Sequence, residues 1–137
     1  MLTDFVLLAP SDLDAARLPV CVIDDPSFDA EKLGGLVANA PRFASRGVQP
    51  EDVEALARAL GVDARVTTWP LEGGALVELP ENLCAALAAV RPDDEQVVGR
   101  RWARRARADG LANLLAPLAR LVRQRREGQR AYLVIVA

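Results

Sequence analysis

The sequence predicts a small α/β or α+β protein: a single-layer mixed sheet of about five strands with four to five helices packed on it. Three observations lead there. Short apolar or β-branched runs near residues 4–9, 20–24, 64–69, 75–79 and 131–136 are bounded by Pro, Asp or Gly, as strands are. Between and after them, apolar residues recur at helical spacing in stretches closed by Gly or Pro. Finally, 137 residues with 51% hydrophobic content can bury about two-thirds of the unfolded surface in one core, so residues 1–137 are expected to form one globular domain.

Taken in order, the run from Phe5 to Ala9 is apolar and closed by Pro10, and the run from Val20 to Ile23 lies between Pro19 and the Asp24, Asp25, Pro26 turn. Both are too short for helices. Ser11 is placed to cap a helical turn through Asp14 to Arg17, and this connection of about ten residues leaves the pairing direction open. Leu33, Leu36 and Val37 follow helical spacing up to Pro41, weakened by Gly34 and Gly35. Pro50, then Glu51 and Asp52 at the positive helix end, then Val53, Leu56 and Leu60, with Gly61 just beyond, form the fullest helix signature in the chain.

The stretches at 65–69 and 75–79 flank Pro70, Gly73 and Gly74, which predicts a hairpin. Pro80 opens a helix through Leu83, Leu87 and Val90 that stops near Pro92. Two more helices follow, from Asp93 to about Ala108 and from Leu111 to Arg126. Pro117 lies inside the second, so a kink or a restart is expected there. Residues 132–136 are apolar without alternation, which calls for cover on both faces and a place in the sheet interior beside the first strand.

The composition narrows the chemistry. Histidine is absent, which removes the commonest general base, the commonest metal ligand and any imidazole-based triad. Ser11, Ser27 and Ser45 are the only serines, and none lies in a Gly-x-Ser-x-Gly elbow. Gly73 and Gly74 are not followed by the Lys and Ser or Thr of a phosphate-binding loop. No catalytic group, cofactor or metal ligand is therefore expected. Cys21 and Cys84 sit in apolar settings that suit reduced, buried thiols, which favours a cytoplasmic location. No apolar run approaches the ~20 residues of a membrane span.

Charge is the most suggestive feature. Residues 1–95 carry seventeen acidic against seven basic side chains, and residues 96–137 carry two against ten, so the net charge of −2 conceals a strong asymmetry. Asp12, Asp14, Asp24, Asp25, Asp29 and Glu31 form an acidic group that can oppose a basic partner, and Trp69 at the hairpin is a candidate anchor for protein binding. Arg100, Arg101, Arg104 and Arg107 fall within an arc of about 120° on one helix, opposite Val98, Trp102 and Ala106, and form a candidate anion-binding face. Each has a plainer explanation. The acids solvate the surface, the tryptophan covers the sheet, and the arginines complement the helix dipole while pairing with the acidic half.

The stretch VCVIDDPSF at 20–28 resembles the opening of phosphoacceptor receiver domains, which imply a further Asp near the middle and a late Lys. Here Thr67, Thr68 and Trp69 occupy the first place, and Lys32 is the only Lys. That family is excluded. Two functional classes remain. The first is a non-catalytic protein acting by protein–protein binding, like an immunity, adaptor or chaperone protein, as monomer or homodimer. The alternative is a carboxylate-centred metal or phosphate site at Asp24 and Asp25. Nucleic-acid binding through the arginine helices ranks third, because stacking aromatics are missing there.

Overall fold

The computed structural model describes residues 2–8, 40–71 and 74–136. Among them lie β1 (Leu2–Leu8), β2 (Arg42–Arg46), α1 (Pro50–Ala59), β3 (Thr67–Leu71), β4 (Gly74–Glu78), α2 (Glu81–Ala88), α3 (Glu95–Ala106), α4 (Leu115–Arg123) and β5 (Arg130–Val136). Single 3₁₀ turns at Pro92–Asp94 and Asp109–Asn113 lead into α3 and α4. The strands form one sheet in the order β2-β1-β5-β4-β3. Every pairing among the described residues is antiparallel, in place of the mixed sheet that the sequence predicts, so the architecture is α+β. The strand expected near 20–24 and the helix expected before Pro41 lie outside the described residues.

The last strand occupies the centre, as its unbroken apolar sequence demands. Phe5 faces Leu133, which faces Val77, and this row looks toward the helices. Together with Leu7 and Ile135 it joins one core with Leu56 of α1, Leu83 and Leu87 of α2, Trp102 of α3 and Leu118 of α4. Alternate strand positions are buried too: Val6, Leu8, Leu76, Tyr132 and Val134 are all nearly inaccessible. Both faces of the central strands are thus dry, which explains why their sequences lack alternation.

Strand β2 is an element the sequence reading does not assign. It is a one-sided edge strand. Phe43 and Ser45 are half-buried while Arg42, Ala44 and Arg46 are exposed, and the Phe43 ring stacks on Phe5 with centroids 5.1 Å apart. With one aromatic and no β-branched residue, its propensity signal is weak. Strand β3 starts two residues later than expected and includes Pro70. An edge strand tolerates the missing N–H.

The helix boundaries follow local chemistry. Asp52 accepts a hydrogen bond from the Gln49 backbone N–H at 2.8 Å, closing the start of α1. At its end Val62 N–H bonds the Ala57 carbonyl at 2.9 Å and Gly61 N–H bonds Arg58 at 3.1 Å, with Gly61 at φ +72°. This is the paired-bond termination that only glycine enters without strain. Pro117 falls in the first turn of α4, which begins afresh at Leu115 after the 3₁₀ turn. No helical donor is lost there, since first-turn N–H groups have no intrahelical acceptor.

Candidate protein-docking surface

The arginines of the C-terminal third divide into two sets. One set is spent inside the fold, joining the basic end of the chain to acids from earlier elements. Arg125 makes a two-pronged contact with Glu81, 2.7 Å at each oxygen. Arg130 reaches Glu78 at 2.8 Å. Arg123 approaches Glu95 at 3.8 Å, donates to the Ala88 carbonyl at 3.3 Å and also bonds the Val90 carbonyl. It therefore closes the C-terminus of α2, where exposed carbonyls favour a cation. Arg101 does the same for α1, donating to the Ala59 carbonyl at 3.2 Å.

The other set, Arg100, Arg104, Arg105, Arg107, Arg120 and Arg126, makes no ion pair among the described residues, and its first four members cluster together. Arg100, Arg104, Arg105 and Arg107 are exposed at the C-terminal end of α3. Arg107 does not continue the helical arc as expected; it is the left-handed cap at φ +57°. Val97, 51% exposed, is the exposed large apolar side chain among the described residues. It lies three and seven residues before Arg100 and Arg104, on the same stripe of α3.

A groove runs beside this stripe, between α3 and the Asp109–Asn113 turn. Its basic half, about 440 Å³, is lined by Arg100, Ala103, Arg104, Asp109 and Ala112. Its other half, about 540 Å³, shares Ala112 and reaches Asp93, Glu95, Gln96 and Arg120. Glu95 is nearly buried, and its Oε2 makes no hydrogen bond. The two walls are close because position 99 is glycine: a Cβ there would lie 2.6 Å from the Ala112 carbonyl oxygen.

Of the residues singled out by sequence, Arg100 and Arg104 come together on the groove, while Arg101 turns to the end of α1. Trp69 is half-buried in edge strand β3, in register with Leu76. That row belongs to the sheet face away from Phe5 and Val77, so Trp69 and the arginine stripe are on different surfaces. Asp12, Asp14, Asp24, Asp25, Asp29 and Glu31 lie outside the described residues. Sequence reasoning passes over Val97, Gly99 and Asp109. An apolar residue on a basic helix face and a lone glycine within a helix were the available signals.

Among the described residues no group of three or more His, Cys, Asp or Glu is placed to hold a metal ion. Cys84 is fully buried. Burial lifts its thiol from the ordinary value of 9.0 to about 11, against a smaller downward pull from Arg125. Such a thiol is a packing group, not a nucleophile. No helix among the described residues is long and apolar enough to cross a membrane. Comparison with known proteins returns no matching family model, no matching curated protein and no matching solved structure.

Proposed function

We propose that this chain acts by binding a protein partner in a reducing cytoplasm, in the manner of immunity, adaptor or chaperone proteins, and that the basic end of α3 is its docking element. The observation that carries this reading is the partition of the arginines. Arg123, Arg125 and Arg130 are neutralised by Glu95, Glu81 and Glu78. Arg100, Arg104, Arg105 and Arg107 have no such partners among the described residues and sit beside exposed Val97. These four cations pair with no carboxylate among the described residues; complementary charge on a partner would speed encounter and fix register.

The test is affinity capture from native lysate with the wild-type chain and with R100E/R104E/R105E/R107E. The reading expects one stoichiometric protein, released by raising salt from 50 to 500 mM and not retained by the variant. A wild-type chain that retains nothing, or a variant that retains the same protein, contradicts it.

A further inference from the structure

We propose that the groove between α3 and the Asp109–Asn113 turn seats an acidic amphipathic helix of a protein partner, with Arg100 and Arg104 lining it and Val97, outside the groove on the same stripe of α3, flanking the guest. The inference rests on the protein-binding reading above and names its partner's chemistry. Arg100 and Arg104 are one turn apart on α3, so their guanidinium groups match two carboxylates one turn apart on a facing helix. Val97 lies one turn earlier on the same stripe and offers the apolar contact that such a helix needs between its charges.

The groove selects against other occupants. An extended strand would need main-chain partners, which the side of a helix does not offer, whereas a helix satisfies its own backbone. A nucleic-acid strand running on past Arg100 and Arg104 would meet Asp93 and Glu95 at the far end. Those carboxylates repel phosphates, and no aromatic side chain lines the groove for base stacking.

The polarity also orients the guest. From Asp93 and Glu95 to Arg100 and Arg104 the excess charge changes from negative to positive over about 16 Å of helix rise, with Arg120 and Asp109 as the single opposite charges at the two ends. A partner helix of about three turns, with its acidic pair over Arg100 and Arg104 and a basic or amide side chain over Asp93 and Gln96, complements both ends. Ala103 and Ala112 leave the floor shallow, and Gly99 brings its two walls to contact distance.

The test is selection of fifteen-residue peptides displayed against the full chain, followed by titration of the enriched sequences against wild type, R100E/R104E and V97D. The expected peptides become helical on binding and carry two acids four residues apart with an apolar residue one turn away. Their affinity falls at least tenfold for either variant, and replacing both peptide acids with Lys restores binding to R100E/R104E. Enriched peptides without the acidic pair, or with equal affinity for R100E/R104E, overturn the proposal. So does a twenty-nucleotide single strand that binds these arginines more tightly than any peptide. If lysate capture succeeds yet the selected peptides ignore Arg100 and Arg104, this groove assignment falls and the broader protein-binding reading stands.

Discussion

Trp102 is fully buried on α3 and donates its indole N–H to the main-chain carbonyl of Asp52 at 2.7 Å, joining two helices fifty residues apart in sequence. The bond satisfies the only polar group on the ring and fixes α3 against the first turn of α1. Because Trp102 occupies the inner side of α3, it sets how Val97, Arg100 and Arg104 are presented on the outer side. W102F removes the bond and part of the ring and is expected to cost about 1–3 kcal/mol; W102A is expected to cost about 3–5 kcal/mol. Urea denaturation followed by circular dichroism measures both, and a W102F chain unfolding at the wild-type midpoint would remove Trp102 as the α1–α3 tie.

Gly99 offers a reversal of sign. In an exposed helix interior, Gly→Ala stabilises by about 1 kcal/mol. Here the added methyl meets the Ala112 carbonyl oxygen at 2.6 Å. G99A is therefore expected to destabilise by about 1–3 kcal/mol, as overpacking does. It should also weaken peptide binding to the groove. A G99A chain more stable than wild type would show that the turn carrying Ala112 gives way freely.

Two arginines near the end of the chain are expected to behave differently although both form ion pairs. Arg125 pairs with Glu81, whose side chain is 74% exposed, so R125L is expected to cost under about 1 kcal/mol, with the difference from wild type shrinking in 0.5 M salt. Arg123 instead bonds two carbonyls at the end of α2 and leaves nearly buried Glu95 beside it. R123L is expected to cost about 2–3 kcal/mol with little salt dependence. Equal losses for the two variants would contradict the distinction.

Cys84 makes stability fall with rising pH. Its folded thiol titrates near 11, above the ordinary 9.0, so the folded state holds its proton where the unfolded state has lost it. The stabilisation is complete below pH 9 and declines between pH 9 and 11, by about 2–3 kcal/mol in total. Comparing wild type with C84A across that window isolates the effect, since other titrations are common to both. Parallel pH profiles would show that the thiol titrates normally. A thiol reagent at pH 8 should likewise label Cys84 only as fast as the chain opens.

Much of the fold is readable without coordinates, and the failures have physical causes. Gly61 and Pro50 bracket α1 because their backbone demands are local, and the unbroken run at 132–136 reveals a strand covered on both faces. Strand β2 is missed because its place depends on Phe43 stacking against Phe5, a contact between residues 38 positions apart. Pro70 misleads because an edge position, invisible in sequence, removes its penalty. The arginine face is visible as a helical arc. Which of its members are free is not, since Arg101 reaches the end of α1 through the tertiary fold, and Val97 gains meaning only once its exposure is known.

The most direct test of the docking claim places a photoreactive residue at the N-terminal end of the stripe, as Val97→p-benzoylphenylalanine, and at Trp69 as a comparison, in native lysate under illumination. The account predicts a covalent adduct to one protein from position 97, mapped to an acidic helical segment and lost when R100E/R104E is added. Adducts from position 97 that survive R100E/R104E, adducts to nucleic acid, or an adduct from position 69 alone would contradict it.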